Sequence, residues 1–239
     1  MKPRMATAKI SQTLDKTQDK TRDNMSELLA PGRDCAKCPR LVAYREASRA
    51  AQPSWHNAPV QSIGPIGARL LIAGLAPGMK GANRTGRPFT GDYAGDLLFP
   101  TLTRYGFAEG VYGRAADDGM RLVDCRITNA VRCVPPQNKP IGAEVLACRP
   151  FLLSELAAMT ELRVILALGG IAHQAILRTL GCKVSAHKFA HCAQFTLPSG
   201  PILIDSYHCS RLNTNTGRLT EAMFHQVFED IREVLGSSD

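Results

Sequence analysis

From Leu70 onward, apolar runs of strand length alternate with segments of helical periodicity, and this alternation restricts the fold more than any other feature of the chain. The predicted strands are Leu70–Leu75, Arg126–Val131, Val164–Leu168 and Pro201–Asp205. The predicted helices are Ala94–Tyr105, Ala143–Ala158, Ile171–Leu180 and Thr220–Leu235. Strands that alternate with helices in this way form a mainly parallel sheet covered by helices. The sequence therefore predicts an α/β sandwich with four strands in its sheet.

The first 30 residues differ in character from the rest of the chain. They are polar, mixed in charge and nearly free of large apolar side chains, which is typical of a disordered segment. We predict a disordered basic tail over residues 1–30, with Met25 as an alternative first residue, and one folded domain over residues 31–239. The chain has no run of 18 apolar residues and no signal-like apolar stretch near its start, so we expect a cytoplasmic protein without a membrane span.

The charge of the chain indicates the kind of partner. The formal net charge is +8 and the pI is near 9.2. A basic balance of this size suggests an anionic partner, of which nucleic acid is the commonest, although many basic proteins bind nothing anionic.

Informative loops follow all four predicted strands. GLAPG (74–78) follows the first strand, and NAVRC (129–133) closes the second. The pair Gly169-Gly170 follows the third strand, and YHCS (207–210) follows the fourth. In open α/β sheets the carboxyl ends of the strands line the ligand crevice. We therefore expect these loops to meet at one cleft.

The eight cysteines fall into two sets. Cys35 and Cys38 form a C-x2-C pair before a proline, Cys133 ends the second strand motif, and Cys148 lies 15 residues later in a predicted helix. Two close and two distant thiolates suit tetrahedral zinc or an iron–sulfur cluster, and such a site would tie the N-terminal segment to the middle of the domain. Four cysteines lack this pairing and are interpreted as small buried hydrophobes, namely Cys125, Cys182, Cys192 and Cys209.

Several groups in the cleft loops suit a flat polar ligand, and each has a structural alternative. The amides of residues 76–78 can form an anion-binding nest. Phe89 can stack on a planar ligand or anchor its loop. Asn129 can pair with an amide edge or end its strand in a turn. Asp92 can orient a water or cap the helix that follows, and His208 can stabilise an anion or serve as a structural hydrogen-bonding group.

Four motifs in chain order resemble the family 5 uracil-DNA glycosylases. They are GLAPG (74–78), NRTGRPFTGD (83–92), NAVRCVPPQNKP (129–140) and YHCSRLNTNTGRLT (207–220). The resemblance covers about residues 33–235. GLAPG alone is a weak signal, but the four motifs in this order are specific.

The resemblance implies a three-layer α/β/α sandwich around a mainly parallel four-stranded sheet. It also implies an enzyme of base excision repair that flips a uracil, or another deaminated or modified base, out of DNA. The enzyme then hydrolyses the N-glycosidic bond and leaves an abasic site. We expect the protein to be a monomer. The implied cofactor is a structural four-iron four-sulfur cluster, held by Cys35, Cys38, Cys133 and Cys148.

The same resemblance assigns roles to particular residues. Catalysis would fall to Asp92, Asn129 and His208. The flipped base would be bound by Gly74, Ala76, Pro77, Gly78, Phe89, Asn129 and His208. The DNA backbone would be contacted by Arg84, Arg87, Ser210, Asn213 and Arg218.

Two departures and two alternatives accompany this prediction. The first motif, GLAPG, has no acidic or amide side chain where other uracil glycosylases place one, so Asp92 is the only nearby carboxylate to nominate. The chain has His208-Cys209-Ser210 where the family usually has His-Pro-Ser, so the loop that carries the histidine lacks a rigid proline. One alternative is a non-catalytic DNA-binding module stabilised by a metal. The other is a nucleotide-binding enzyme that uses the glycine loops as phosphate cradles.

Overall fold

The computed structural model describes residues 28–236. The tail predicted for residues 1–30 lies outside the described residues except for its last three positions. The strands, in chain order, are β1 (Leu70–Gly74), β2 (Ala108–Glu109), β3 (Arg121–Leu122), β4 (Cys125–Asn129), β5 (Val164–Leu168), β6 (Gln194–Thr196) and β7 (Ile202–Ser206). The helices are α1 (Pro39–Ala51), α2 (Ala82–Thr85), α3 (Tyr93–Arg104), α4 (Gly142–Ala158), α5 (Gly170–Thr179), α6 (Arg211–Asn215) and α7 (Glu221–Gly236).

The main sheet has five strands in the order β4-β1-β5-β7-β6, and β2 pairs with β3 in a separate two-stranded ribbon. β4, β1, β5 and β7 are parallel, whereas β6 runs antiparallel to β7. These four parallel strands are the four predicted from the sequence, so the prediction of a mainly parallel sheet is confirmed. The predicted number of strands is wrong, because the fifth strand, β6, has only three residues, too few to show a periodic pattern in the sequence.

Helices cover both faces of the sheet. On one face Ile72 packs in a cluster with Phe99 of α3 and Phe228 of α7. On the other face Ala73 packs in a cluster with residues of α4 and α5, including Leu152 and Ile176. Every residue of β1, β4 and β5 is buried, as expected for parallel strands covered on both sides. The predicted α/β/α layering is therefore confirmed.

The four predicted helices are all present, with ends within one residue of the prediction. Three helices were missed: α1, α2 and α6. α1 begins at a proline directly after Cys38, and six of its 13 residues are Arg, Glu, Ser or Tyr, which obscures its apolar face. α2 and α6 have only four and five residues, too few to show a helical period.

Among the described residues, none of the helices combines the length and the apolar composition needed to span a membrane.

Candidate active site

The polar loops that follow the parallel strands meet at the carboxyl edge of the sheet around a cavity of about 660 Å³. This volume is within the usual range for small-molecule pockets. The lining residues that the sequence had singled out are Ala76, Gly78, Phe89, Asp92, Asn129, His208 and Ser210. Segments 76–92, 129 and 208–210 are distant in the chain, so the sheet brings them together as predicted from strand ends.

The close approach of Asn129 and Phe89 depends on the absence of a side chain at Gly74. In the parallel register of β1 and β4, Gly74 lies opposite Asn129, which is only 3% exposed. A Cβ at position 74 would collide with Asn129 Oδ1 and would lie 2.6 Å from Phe89 Cζ. Gly74 therefore leaves the space in which the Asn129 amide and the Phe89 ring approach the same point.

Phe89 is held in an uncommon backbone conformation. Its φ is +53°, a left-handed value that a bulky residue rarely adopts, and its carbonyl accepts a hydrogen bond from the Tyr112 hydroxyl at 3.3 Å. The ring is 7% exposed and lies 6.0 Å from the His208 ring, measured between centroids. Phe89 is therefore buried and anchored within its loop, and it also lines the cavity. Such strained conformations cluster at functional sites.

The two carboxylate oxygens of Asp92 have different surroundings. Asp92 caps α3, since Oδ1 accepts a hydrogen bond from the Ala94 amide at 3.2 Å. Its other oxygen, Oδ2, lies beside Gly78 and Gly81, and a Cβ on Gly81 would collide with it. Burial raises the pKa of the Asp92 carboxyl, although hydrogen bonds from the Gly95 and Ala94 amides act in the opposite direction. The helix-capping alternative is correct, and the same carboxylate also lines the cavity.

His208 follows β7 and lines the cavity together with Asp92 and Asn129. Its Nδ1 is buried and has no hydrogen-bond partner among the described residues. Burial lowers the pKa of His208 to about 4, so the imidazole is neutral at pH 7. A neutral ring can donate one N–H to an anion without carrying charge itself. The Asn213 side chain donates to the His208 carbonyl at 2.8 Å, and the neighbouring Cys209 is fully buried, so packing fixes the loop in place of a proline.

The residues predicted to contact the DNA backbone differ in their exposure to solvent and in the partners they already have. Arg84 is exposed, although its Nε donates to the Lys80 carbonyl at 2.8 Å. Arg87 is 7% exposed and forms two hydrogen bonds to Asp118, of 2.7 and 2.6 Å. The prediction that Arg87 contacts phosphates is therefore not supported, because its guanidinium is already paired. The pairing holds the guanidinium over the aromatic ring of Phe99, whose centroid lies 5.0 Å away.

The last motif forms α6 and the turn after it. Ser210 caps this helix, with Oγ accepting from the Asn213 amide at 3.5 Å. The Asn213 side chain is committed to the His208 carbonyl, so its role in the described structure is to hold the histidine loop. Arg218 is exposed, and its guanidinium lies 4.7 Å from the centroid of the Tyr207 ring.

Seven further residues line the cavity and were not named as site residues from the sequence: Leu75, Tyr93, Ala94, Asn138, Ile171, Arg211 and Leu212. Three of them are exposed apolar side chains: Tyr93 is 41% exposed, Ile171 57% and Leu212 72%. A leucine within the polar run SRLNTN was the only sequence signal for this rim. Exposed apolar side chains grouped around a cavity are typical of an interaction site.

The four cysteines predicted to bind a metal or cluster lie together beside Ala76. Cys35, Cys38, Cys133 and Cys148 pack in one cluster with Leu41, Val131 and Phe151. In residues 28–236, no three His, Cys, Asp or Glu side chains are arranged to hold a single metal ion.

A buried cationic side chain lies beside this cysteine cluster. The Arg45 side chain is 4% exposed, lies 4.0 Å from Cys133 Sγ, and keeps a buried Nε without a hydrogen-bond partner in the described part of the chain. The Arg132 amide donates to Cys148 Sγ at 3.4 Å. Four cysteine sulfurs are the ligand number of a four-iron four-sulfur cluster, and the Arg45 guanidinium, which also lies 3.8 Å from Glu46, would offset the negative charge of thiolate ligands.

Comparisons with known proteins agree with this geometry. Residues 61–232 match the family model described as Uracil DNA glycosylase superfamily. A type-5 uracil-DNA glycosylase of Thermus thermophilus is 46% identical over 84% of this chain and 94% of its own length. A type-5 uracil-DNA glycosylase of Mycobacterium leprae is 42% identical over 89% of this chain and 96% of its own length. A type-5 enzyme of Pyrobaculum aerophilum is 41% identical, with coverages of 78% and 83%.

Proposed function

Because this chain belongs to the type-5 uracil-DNA glycosylases of the uracil DNA glycosylase superfamily, we propose that it excises uracil from DNA by hydrolysing the N-glycosidic bond. The observation that carries this proposal is the cavity in which Asn129, Phe89, His208 and Asp92 meet. A non-catalytic DNA-binding module would not need these four groups around a pocket of base-accommodating size. The family membership also disfavours that alternative.

The cavity suits a base that has been turned out of the duplex. A duplex base is inaccessible to chemistry, so the target nucleotide must first leave the stack, at a cost of a few kcal/mol. Phe89 offers a ring face for the flipped base, and the Asn129 amide offers one donor and one acceptor to its edge. The exposed Leu212 beside the cavity is suited to fill the gap left in the stack, as apolar wedges do in other DNA-bending proteins.

Cleavage separates charge between the sugar and the base. The sugar acquires oxocarbenium character, while the departing uracil becomes an anion. A neutral His208 N–H, together with the amides of residues 76–78, can hydrogen-bond this anion, and the loss of one such donor typically slows catalysis about 100-fold or more. Because burial keeps the His208 pKa at about 4, the ring stabilises the anion as a neutral donor throughout the neutral pH range.

Asp92 is proposed to orient the attacking water and to offset the positive charge on the sugar. This role requires the ionised carboxylate. Since burial raises the Asp92 pKa, activity should decline on the acid side at a pH above 3.8, the ordinary value for aspartate.

The exposed cations near the cavity are proposed to contact the DNA backbone. Arg84 and Arg218 remain candidates from the sequence, and Arg211, which lines the cavity, joins them. Replacing any one of these arginines by alanine should reduce the slope of log affinity against log salt by about 0.9. A mononucleotide-binding enzyme would instead bind its ligand without DNA and with little dependence on salt.

We also propose that Cys35, Cys38, Cys133 and Cys148 hold a four-iron four-sulfur cluster whose role is structural, tying α1 to the end of β4 and to α4. Iron and acid-labile sulfide should be present in equal amounts, with visible absorbance near ~400 nm. Cys35→Ser should lower both together. Cys182→Ser replaces a half-buried cysteine outside the set and should leave both contents unchanged. If neither variant loses iron, the assignment is wrong.

A panel of duplexes tests the reaction. Each duplex would carry a single uracil, hypoxanthine, ethenocytosine or mismatched thymine, and abasic product would be measured under single turnover. Uracil release is the expected result, with excision of further modified bases as the broader prediction. If folded protein forms no abasic product from any duplex, the enzymatic assignment fails. We also propose that the protein acts as a monomer on DNA in the cytoplasm.

A further inference from the structure

The loop between β2 and β3, residues 110–120, closes onto the active-site loop, residues 87–92. Tyr112 lies near the start of the β2–β3 loop and is half-buried. Its hydroxyl donates to the Phe89 carbonyl at 3.3 Å and accepts from the Gly91 amide at 3.1 Å. One hydroxyl group therefore bridges two backbone positions of the active-site loop.

Both bridged residues have left-handed backbone conformations, with φ of +53° at Phe89 and +85° at Gly91. Gly91 adopts this value freely because it lacks a Cβ, but the same region is strained for a bulky residue such as Phe89. A strained conformation persists only where the surrounding contacts hold it. Within residues 28–236, the Tyr112 hydroxyl is the sole side-chain donor to the Phe89 carbonyl. Its loss should therefore release the conformation that directs the Phe89 ring into the cavity.

The Tyr112 hydroxyl is suited to this double role. A tyrosine hydroxyl both donates and accepts, so one group can satisfy a carbonyl and an amide. Burial raises the pKa of Tyr112, so the hydroxyl keeps its proton at neutral pH. Gly95, in the first turn of α3, leaves the necessary space, because a Cβ there would collide with both the hydroxyl oxygen and the Phe89 carbonyl.

Aromatic stacking and a buried ion pair fix the Tyr112 ring. The ring stacks on Phe99, with 4.6 Å between centroids and 21° between planes, and the Arg87 guanidinium lies 5.8 Å from the Tyr112 centroid. Asp118, near the far end of the same loop, pairs with Arg87, and their side chains are 5% and 8% exposed. Asp118 also accepts from the Gly113 amide at 2.9 Å, which closes the loop on itself. The β2–β3 loop is therefore held to the active-site loop at two separate points, the Tyr112 hydroxyl and the Asp118 carboxylate.

We propose that Tyr112 is a positioning residue, whose hydroxyl fixes the Phe89 backbone so that the Phe89 ring stacks on the flipped base. This inference rests on the proposed function. Tyr112 is not among the described residues that line the cavity, so it acts through Phe89 and not by touching the base. Asp92 is held by its own hydrogen bond from the Ala94 amide, so the effect of the hydroxyl should fall on stacking.

The first test removes the hydroxyl and keeps the ring. Under single turnover on a uracil duplex, Tyr112→Phe should lower the maximal excision rate by about 5- to 100-fold, the combined effect of two hydrogen bonds. The enzyme concentration that gives half of this rate should change little, because the arginines proposed to contact the DNA backbone are unaltered. Tyr105→Phe is the matched control and should excise at the wild-type rate. Tyr105 also stacks on a phenylalanine, and its hydroxyl donates to Glu229 at 3.1 Å, but neither Tyr105 nor Glu229 lines the cavity.

A double-mutant cycle separates positioning from a general loss of stability. The stacking ring is absent in a Phe89→Leu background, so Tyr112→Phe should slow excision there by less than about 2-fold further. All rates are compared at a temperature at which circular dichroism shows each variant folded. Equal slowing in both backgrounds overturns the proposal, and so does a Tyr112→Phe rate no lower than that of Tyr105→Phe. Failure of the wild-type protein to excise uracil would instead count against the proposed function.

Discussion

Replacement of Asp92 can separate its helix cap from its charge, because side chains exist that retain one property and lose the other. Oδ1 caps α3 by accepting from the Ala94 amide, whereas the charge of the carboxylate is what the chemistry requires. Asparagine and serine are also good N-caps but carry no charge. Alanine loses both the cap and the charge. A series of Asp92→Asn, Asp92→Ser and Asp92→Ala therefore changes the two properties independently.

The expected effects on stability follow from the cap and from burial. Loss of the cap in Asp92→Ala should cost about 1 kcal/mol. A loss of this size lowers the melting temperature of a domain of this length by roughly 2–4 °C. Asp92→Asn should match or exceed the wild-type stability at pH 7. The folded pKa of Asp92 is raised, so the ionised carboxylate opposes folding at neutral pH, and asparagine removes that charge.

The expected effects on rate do not follow the order of stability. Under single turnover on a uracil duplex, all three variants should be slower by about 100- to 10,000-fold, the usual contribution of a positioned acid–base group. DNA affinity should change little, as measured by fluorescence anisotropy with a duplex that carries 2′-fluoro-deoxyuridine, which resists cleavage. Wild-type rates in Asp92→Asn and Asp92→Ser, with a slower Asp92→Ala, would refute the catalytic role and leave Asp92 as a helix cap alone.

Three further predictions test other parts of the site. The folded pKa of His208 is about 4 and its unfolded value 6.5, so the free energy of unfolding should fall as the pH drops from 7 to 4. In chemical denaturation, the fall for the wild type should exceed that for His208→Gln by up to about 3 kcal/mol. An equal fall in both proteins would contradict burial of a neutral ring. Gly74→Ala should destabilise the fold by about 1–3 kcal/mol through overpacking and should abolish excision. Gly67→Ala is the control and should do neither, because a Cβ there would have nothing within 4 Å. An active Gly74→Ala would show that Asn129 and Phe89 can move to accept the extra methyl group. Leu212→Ala should slow uracil release from duplex DNA more than from single-stranded DNA, and equal slowing would remove its wedge role.

The layered fold could be predicted because it depends on local signals that the sequence states directly. Buried parallel strands such as Val164–Leu168 appear as continuous apolar runs, and amphipathic helices such as α7 repeat their apolar positions every third or fourth residue. The chain order of strands and helices then restricts the topology to a few arrangements. Strand β6 could not be predicted, because its three residues are too few to show a periodic pattern.

Much of the candidate site was also accessible from sequence, since it lies where strands end. Asn129 ends β4 and His208 follows β7, and parallel strands bring their carboxyl ends to one edge of the sheet. The motifs placed Phe89 and Asp92 in the first loop. Their exact surroundings, such as the space left by Gly74 for two side chains, depend on contacts between segments 15 to 55 residues apart.

The sequence by itself determined the layers and the strand ends that form the cavity, and it grouped the four cysteines that lie in one cluster beside Ala76. Only the tertiary structure decided which charges are free to act. Arg87 and Arg84 stand three residues apart in the same basic motif, yet Arg87 pairs with Asp118, 31 residues away, while Arg84 remains exposed. In the same way, the hydrogen bond from Arg40 to the Lys139 carbonyl joins residues 99 positions apart. Secondary structure is a local property that a periodic pattern can encode, but burial and ion pairing depend on which distant segments meet, and no local pattern records that.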